Sequence, residues 1–499
     1  MSHLEDPRVP VTVVGIGAEG WAGLSPAARA AVRAASVIFG SRRQLAELPG
    51  PGDGPGPGDD EAPGSEGSGD GAESGSRLAP GVRRVEWPSP LLAALPRLLA
   101  EHGVSLAEEG GPTAADGNAG GVAAGGVAAD GVAADGVGDA GVDGGGGSGG
   151  GVCVLASGDP MFYGIGVTLV RLLGARRVRV VPHPSSVSLA CARLGWAVQD
   201  VDVVSAVGRP LDRVRLLLAP GRRLLVLSAD RSTPGALASL LVDSGYGASP
   251  MTVLSRLGAS DETRQAADAR RWSAAAADLA DVADLNIVAV RARPEADVAY
   301  RPRTPGLPDD AFEHDGQITK REIRALTLAR LAPAPGELLW DVGAGSGSVA
   351  IEWLRAHESA RAVALEPRAD RAERIRRNAA RLGVPHLRVV QGRAPQDLRG
   401  LPVPDAIFVG GGVSVPGVLD ACWAALHGEG RARERGRLVV NAVTLESEAV
   451  LAGWYARGGG DLVRLAVSRA SAVGGFTGWR PAMPVTQWTV WPAHARRAD

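Results

Sequence analysis

Residues 338–354, LLWDVGAGSGSVAIEWL, decide the fold of the C-terminal half of the chain. The apolar start predicts a buried strand that ends at Asp341, and Gly343, Gly345 and Gly347 predict a tight turn that leads into a helix. Glycine suits such a turn because its backbone accepts unusual φ values and lets a nucleotide-like ligand approach closely. The segment therefore predicts a Rossmann-like α/β domain with a ligand site at the turn.

An acidic residue follows at the spacing that such a site requires. The segment 360–366, ARAVALE, predicts a second strand that ends in Glu366, nineteen residues after Gly347. A carboxylate at this position suits the two hydroxyls of a ribose. A nicotinamide cofactor predicts GxGxxG or GxGxxA, whereas this turn reads GxGxG. That spacing resembles class I S-adenosylmethionine (SAM) methyltransferases, whose cofactor has no pyrophosphate.

Three neighbouring segments fit the same fold. Thr319 is predicted to cap the helix before the first strand, with Glu322 three residues later completing a capping box. Thr319 is either a cap alone or also a cofactor contact. Residues 392–394 follow the third strand, where an adenine would lie. The glycines 410–412 end the fourth strand and either leave room for a bulky substrate or form a plain turn.

The N-terminal half carries a different glycine motif. Residues 13–20, VVGIGAEG, match GxGxxG after a strand, the pattern of an NAD-dependent oxidoreductase. Glu19, however, would direct a carboxylate at the pyrophosphate, and the next helix starts late, with Ser25 as its cap and Pro26 at its first position. No acidic residue follows the next strand. NAD binding is therefore the less favoured alternative.

Four segments of this half together resemble the tetrapyrrole methylase family: 14–41, 156–166 (ASGDPMFYGIG), 184–201 and 224–241. The resemblance implies a two-lobed α/β domain with a non-Rossmann SAM site in the cleft between its lobes. By position it implies SAM contacts at Gly17, Ala18, Gly158, Asp159, Phe162, Ser185 and Ser186. The chain departs from the family at His183, where glycine is usual. It also has Val207 where a histidine is common, which speaks against an essential histidine there.

The second domain, from AFEHDGQITKREIRAL (311–326) through GFTGWRPAMPVTQW (475–488), resembles the decarboxylating precorrin methyltransferases of the cobalamin pathway. This resemblance implies SAM contacts at Thr319, Gly343, Ala344, Gly345, Ser346, Gly347, Glu366 and Ala394. The two families fused in this order imply methylation of precorrin-6B at C5 by the first domain. They imply methylation at C15, with loss of the C12 acetate carboxyl to give precorrin-8X, by the second. No catalytic residue is assigned. Arginines near the motif loops are candidates for binding a polycarboxylate: Arg42, Arg43, Arg209, Arg393 and Arg480.

Composition sets the predicted domain organisation. Many of the 69 glycines, and a few of the 35 prolines, lie in low-complexity stretches at about 50–76 and 110–151, which we predict to be insertions that cannot build a packed core. The rest of the chain predicts a first domain at 9–293, a linker at 294–309 rich in proline and charge, and a second domain at 310–492.

Charge and cysteine content exclude further classes. A net charge of −2 offers no basic excess for nucleic acid or a membrane surface. The three cysteines are far apart and odd in number, which speaks against a disulfide framework or a CxxC metal site. No apolar run reaches the roughly 18 residues of a membrane helix, and the first ten residues lack a signal-peptide pattern. We expect a cytoplasmic, homo-oligomeric enzyme without a metal. A SAM-binding scaffold without turnover is the alternative outside catalysis.

Overall fold

The structure is a computed structural model that describes residues 11–50, 78, 81–88, 91–104, 151–274, 281–427 and 436–491. Apart from their end positions, the two predicted insertions lie outside these residues. The chain divides into two compact units. The first unit comprises Met1–Gly208, Arg223–Ser239 and Ser249–Arg291, and the second comprises Arg209–Arg222, Leu240–Ala248 and Ala292–Asp499. The domain boundaries inferred from the sequence stay a prediction.

The described chain up to Arg291 forms ten strands and seven α-helices. The strands are β1 (Val11–Ile16), β2 (Ala35–Gly40), β3 (Arg83–Glu86), β4 (Gly151–Ser157), β5 (Val178–Val181), β6 (Val201–Ser205), β7 (Arg223–Leu227), β8 (Pro250–Ser255), β9 (Thr263–Asp268) and β10 (Asn286–Arg291). The helices are α1 (Pro26–Arg33), α2 (Arg42–Ala46), α3 (Leu91–Glu101), α4 (Ile165–Leu173), α5 (Ser186–Leu194), α6 (Thr233–Asp243) and α7 (Ala269–Ala274).

Two sheets organise the first unit. The first sheet is wholly parallel, in the order β3-β2-β4-β1-β5, and the second is mixed, in the order β6-β7-β10-β8-β9. In β1, Val14 packs with Val32 of α1 on one face, while Val13 packs with Leu95 of α3 and Leu169 of α4 on the other. Both faces of a parallel sheet are thereby buried, which explains its nearly continuous apolar strands.

The chain from Arg321 onward forms nine strands and five α-helices within the described residues. The strands are β11 (Leu338–Val342), β12 (Arg361–Glu366), β13 (Arg388–Gln391), β14 (Ala406–Val409), β15 (Arg437–Ala442), β16 (Asp461–Leu465), β17 (Ser468–Val473), β18 (Phe476–Pro481) and β19 (Val485–Val490). The helices are α8 (Arg321–Leu331), α9 (Ser348–Ala356), α10 (Ala369–Arg381), α11 (Val418–His427) and α12 (Leu445–Gly458).

One seven-stranded sheet organises the second unit, in the order β13-β12-β11-β14-β15-β19-β16. The first five strands are parallel and β19 is antiparallel to both of its neighbours. The strand order reverses at β11, as in Rossmann-type sheets. Strands β17 and β18 pair only with each other, as a separate two-stranded hairpin. The predicted α/β fold class is confirmed.

Two predicted helix caps have opposite outcomes. Ser25 caps α1 by accepting a hydrogen bond from the Ala28 N–H (3.2 Å), as predicted. The capping box at Thr319 is wrong, because α8 begins at Arg321 and Lys320 is its N-cap residue, without a side-chain hydrogen bond. Glu322 instead makes an ion pair with Arg469. A tertiary contact 147 residues away therefore takes the carboxylate that the local pattern assigns to the cap.

Candidate functional sites

A cavity of about 820 Å³ lies at the carboxyl ends of the parallel strands in the second unit. Its wall includes Gly343 after β11, Glu366 at the end of β12, Gly392 after β13 and the glycines 410–412 after β14. The strand order reverses between β11 and β14, and open α/β sheets bind ligands in the crevice outside the carboxyl ends of the strands at such a point. The sheet topology thus places the GxGxG turn and the acidic residue in one cavity.

Glu366 is the buried carboxylate of this cavity. Its side chain is 2% exposed, and its two oxygens are held by backbone amides. Oε2 accepts from the Gly345 N–H (2.9 Å) and Oε1 accepts from the Arg368 N–H (3.2 Å). An ionised carboxylate has about four acceptor positions. Each oxygen can therefore accept a further hydrogen bond from a ligand.

The three glycines of the turn have different tasks. All three have positive φ, at +71° for Gly343, +59° for Gly345 and +75° for Gly347. A Cβ on Gly343 would lie 2.9 Å from the backbone of Gly411, and one on Gly347 would lie 2.7 Å from Ile375. Packing alone therefore demands glycine at these two positions. At Gly345 the nearest atom to an added Cβ is a carbonyl oxygen at 3.3 Å. Its N–H donates to Glu366, and the residue lines the cavity.

Six of the eight residues predicted for this site line the cavity: Thr319, Gly343, Ala344, Gly345, Glu366 and Ala394. The other two have internal positions. Ser346 is 1% exposed and its hydroxyl has no hydrogen-bond partner among the described residues, while Gly347 lies at the start of α9 against Ile375. Cofactor binding by any of the eight stays a prediction.

Asp341, at the end of β11, has an unusual electrostatic environment. It is 1% exposed, its Oδ2 accepts from the Ala350 N–H (3.0 Å), and its Oδ1 has no partner among the described residues. Burial raises the pKa of the Asp341 carboxyl to about 7. The Ala350 N–H opposes this shift, and the negative charge of Glu366 adds to it. Burial therefore favours the neutral, protonated form of the Asp341 carboxyl below about pH 7.

A second cavity, of about 630 Å³, lies in the first unit and is lined from both of its sheets. Ser157 of β4 contributes from the parallel sheet, and Ser205 of β6 and Leu254 of β8 contribute from the mixed sheet. All seven residues predicted for this site line the cavity: Gly17, Ala18, Gly158, Asp159, Phe162, Ser185 and Ser186. Their binding of a cofactor stays a prediction.

Backbone packing fixes the loops around this cavity. The Gly158 N–H donates to the Ile16 carbonyl (2.9 Å), and a Cβ on Gly15 would lie 2.3 Å from the Gly158 oxygen. The loops after β1 and β4 are therefore in direct backbone contact. Asp159 Oδ1 accepts from the Met161 N–H (2.8 Å), which closes a turn of the kind that aspartate favours. Tyr163 follows at φ +55°, a rare conformation for a large side chain.

The departure from the family pattern at His183 has a structural explanation. His183 Nε2 lies 2.6 Å from Glu19 Oε1, and its φ is not in the positive range. The Glu19 carboxyl lies inside the first glycine loop, where a Cβ on Gly17 would approach it to 2.0 Å. Only a short 3-10 helix follows, at Gly20–Gly23, before α1 starts. This loop therefore presents a carboxylate where a dinucleotide would need free amides.

Ser185 and Ser186 lie at the start of α5. Ser185 is the N-cap residue, and its Oγ accepts from the Ser188 N–H (3.1 Å). Ser185, which we predict to contact SAM, thus also caps α5. Ser186 is the first helical residue. Its N–H is one of the four that have no partner within a helix.

Several cavity residues were not predicted from the sequence. In the first unit, Ser228 Oγ donates to Asn286 Oδ1 (2.6 Å), and both residues line the cavity. In the second, Lys320 and Arg469 line the wall. In the first unit the available signal was a polar residue beside an apolar strand, Ser228 after it in LLVLSAD and Asn286 at its start in LNIVAV. Of the candidate arginines, Arg43 lines the first cavity and Arg393 the second, whereas Arg42, Arg209 and Arg480 line neither.

Comparison with known proteins agrees with both halves of this description. Residues 147–271 match the tetrapyrrole (corrin/porphyrin) methylases, and residues 310–492 match the precorrin methyltransferase domain. The chain is thus a two-part methyltransferase of tetrapyrroles. It belongs to the family of precorrin-6Y C(5,15)-methyltransferases (decarboxylating), which confirms the predicted resemblance and enzyme class.

Two relatives place the chain in this family. The precorrin-6Y C(5,15)-methyltransferase [decarboxylating] of Sinorhizobium sp is 52% identical over 338 residues, which are 68% of this chain and 79% of that protein. The protein of the same name from Mycobacterium tuberculosis (strain ATCC 25618 / H37Rv) is 42% identical over 481 residues, covering 96% of this chain and 99% of that protein. A solved C-terminal domain of precorrin-6Y C5,15-methyltransferase from Rhodobacter capsulatus is 48% identical and covers 38% of this chain and 98% of its own, with a TM-score of 0.35.

The described residue ranges contain neither a metal-binding cluster nor a membrane-spanning helix. Nowhere in the described part of the chain are three or more His, Cys, Asp or Glu residues grouped so that they could hold a metal ion. None of the described helices has the length and apolar character needed to cross a membrane. The three cysteines are buried and free, and burial raises the pKa of the Cys153 and Cys422 thiols to about 12. These two thiols are therefore not activated nucleophiles.

Proposed function

We propose that the chain methylates precorrin-6B, also called precorrin-6Y, at C5 and C15 with SAM as the methyl donor. In this proposal the second unit also removes the C12 acetate carboxyl, so that the product is precorrin-8X. The names of the relatives support the substrate and both methylation positions. Two separate cavities, one in each unit, support two SAM sites.

The position of the Glu366 carboxylate is the single observation that carries the cofactor assignment. Its carboxylate lies in the cavity wall, is fixed by two amides and keeps acceptor capacity on both oxygens. The two hydroxyls of a ribose are donors at a matching spacing. Ala394, after β13, would border the adenine, and the glycine turn would border the rest of the cofactor. The residues present therefore fit SAM.

The first cavity fits the same cofactor by other means. Its wall contains small residues and hydroxyl groups, among them Gly17, Ala18, Ser185 and Ser186. The touching loops after β1 and β4 keep backbone groups close to the cavity. We infer that backbone groups and hydroxyls hold SAM here, and that the Asp159 turn keeps the loop in place.

Positioning is the main task of the protein in this chemistry. SAM supplies an activated methyl group, and transfer needs an electron-rich ring carbon held in line with it and shielded from water. The close contact between Gly343 and Gly411 keeps the two loops of the second cavity fixed relative to each other. Decarboxylation needs an electron sink, which the protonated macrocycle can provide. No residue of the chain is therefore assigned as a catalytic acid or base.

Incubation of the full chain with precorrin-6B and SAM tests the proposal. We expect two S-adenosylhomocysteines and one CO2 for each precorrin consumed. Binding without S-adenosylhomocysteine or CO2 would indicate the scaffold alternative. Tight NADH binding without SAM binding would indicate the oxidoreductase alternative, which the carboxylate of Glu19 disfavours.

The cellular setting stays a prediction from the sequence. We expect a cytoplasmic homo-oligomer that acts on a tetrapyrrole without a nucleic acid or membrane partner. Sedimentation velocity tests the oligomeric state, and fractionation of cells tests the location.

A further inference from the structure

We propose that the hairpin Ser468–Pro481, formed by β17 and β18, binds the tetrapyrrole at the mouth of the second cavity. In this proposal Arg480 binds carboxylates of the substrate and Phe476 contacts its ring. The inference rests on the proposed function, because it assumes that a tetrapyrrole occupies this cavity.

The base of the hairpin belongs to the cavity wall. Val467 and Ala482 flank the two strands and both line the cavity, and the Ala482 N–H donates to the Val467 carbonyl (2.8 Å). Arg469 of β17 and Met483 line it as well. The hairpin is therefore continuous with the cavity at its base. Its strands make no ladder with the seven-stranded sheet.

One face of the hairpin combines charge and apolar surface. Arg469 lies directly opposite Arg480, and Val473 lies directly opposite Phe476. Side chains two residues apart along a strand share a face, and directly opposite residues share it too. All four side chains therefore lie on the face that includes the cavity-lining Arg469. Phe476 is 84% exposed and Val473 is 61% exposed, so no described residue covers this apolar end of the hairpin.

The two arginines lack balancing charge on the hairpin itself. Like charges directly opposite each other destabilise a strand pair. Arg469 is partly compensated by its ion pair with Glu322. Arg480 is exposed and has no ion-pair partner among the described residues, and residues 468–481 contain no acidic side chain. An anion bound beside Arg480 would remove this repulsion.

A tetrapyrrole with carboxylate side chains matches this surface. It offers an apolar ring to Phe476 and peripheral carboxylates to Arg480, and arginine binds carboxylates through two parallel hydrogen bonds. The cavity lies within the usual range of about 300–1,000 Å³ for a site that binds a small molecule. In this proposal the cofactor lies inside it, and the macrocycle extends past its mouth onto the hairpin. A second copy of the chain, docked hairpin to hairpin, would instead bring arginines against arginines.

The test measures CO2 release by the full chain at saturating SAM, with precorrin-6B as the varied substrate. We expect Arg480→Gln and Phe476→Ser each to raise the KM for precorrin-6B about tenfold, while kcat changes less than about threefold. Arg480→Lys should raise the KM less than Arg480→Gln does, because it keeps the charge but loses the two parallel hydrogen bonds. The matched control is Arg399→Gln, an exposed arginine outside both cavity walls, which should change nothing. SAM affinity, measured by calorimetry, should be unchanged throughout.

Unchanged KM values in both Arg480→Gln and Phe476→Ser would overturn the proposal. Altered sedimentation of these variants with an unchanged KM would also overturn it, and would assign the face to a second copy. If wild type releases no CO2, the proposed function fails separately. Equilibrium dialysis of precorrin-6B against wild type and Arg480→Gln then tests whether the hairpin binds the substrate. About tenfold weaker binding by the variant would support the proposal, and equal binding would overturn it.

Discussion

The walls of the two cavities contain different kinds of chemical groups, although we propose that both bind the same cofactor. The cavity of the second unit lies along one edge of a single sheet and contains Glu366, a buried carboxylate held by two amides. The cavity of the first unit lies between two sheets. Its acidic wall residues are Asp159, which closes a turn, and Asp284, whose side chain is 64% exposed and paired with Arg231.

This difference predicts how each site responds to substitution. A site that depends on one carboxylate and one glycine turn should fail when either is changed. A site that depends on backbone groups from several loops should lose affinity in smaller steps. The difference also predicts that the two sites bind SAM independently, because no residue lines both cavities.

Gly345→Val should have the largest effect. A β-branched side chain disfavours the φ of +59° and projects into space that the cofactor needs, so CO2 release should fall more than about 100-fold. One SAM should still bind per chain, measured by titration calorimetry. Gly400→Val is the matched control, since Gly400 also has positive φ but an added Cβ meets nothing within 4 Å. Loss of SAM binding at both sites would contradict independence.

Glu366→Ala should weaken SAM binding at one of the two sites by about 1.5–3 kcal/mol, the range for hydrogen bonds to a charged group. Removal of the carboxylate also frees the N–H groups of Gly345 and Arg368. Calorimetry on the full chain should show one weakened and one unchanged site. Glu373→Ala, which removes an exposed glutamate of α10, should leave both unchanged. An unaltered isotherm for Glu366→Ala would remove this residue from the site.

Asp159→Ala should have a smaller effect, and it should act on the cavity of the first unit. The Met161 N–H loses its acceptor, and the loop around the first cavity loosens at a cost of about 1 kcal/mol. SAM affinity of the first unit and one methylation should fall several-fold, while CO2 release is spared. Asp230→Ala, which breaks a similar turn at Ser232 outside the cavity wall, is the control. A fall in CO2 release would show that the two sites are coupled.

Protonation of Asp341 should make the stability of the second unit depend on pH. The pKa of this carboxyl is about 7 in the folded chain, against roughly 4 in an unfolded one. The folded state therefore binds more protons between these values. The resulting stabilisation is complete below pH about 4 and is lost as the pH rises through about 7.

Unfolding of the full chain by denaturant at several pH values tests this expectation. Relative to Asp341→Asn, the wild-type free energy of unfolding should fall by up to about 1.4 kcal/mol per pH unit between pH 4 and 7. It should be level above pH 7. The control Asp420→Asn, at an exposed position in α11, should keep the wild-type slope. Parallel profiles for wild type and Asp341→Asn would refute the assignment.

Deletion of residues 51–75 and 111–150 should have the smallest effect. These segments contain almost no large apolar side chains, so their removal should not weaken the packing around either cavity. SAM stoichiometry and CO2 release of the deleted protein should match wild type. Loss of SAM binding at one site alone would show that this unit depends on an insertion.

Local patterns predicted the elements that border the sites better than the contacts across them. The strand, turn and acid of 338–366 fold as their spacing indicates, since each step is short-range. The capping box at Thr319 failed because α8 starts at Arg321 with Lys320 as its N-cap residue, and Glu322 pairs with Arg469, far along the chain. Similarly, the hairpin β17–β18 carries exposed Phe476, which gives no amphipathic signal towards a core. Sequence periodicity detects burial, and this hairpin is not buried.

The sequence by itself determined the α/β class, the glycine turn, the acid after the second strand and the family resemblance of both halves. Each depends on residues within about twenty positions of one another or on the order of motifs. Only the tertiary structure decided that Glu366 is fixed by amides with acceptor capacity left over, and that burial raises the pKa of Asp341. It also decided that two arginines face each other on a hairpin at the cavity mouth. These properties depend on which distant groups exclude water or meet in space, and sequence spacing does not specify that.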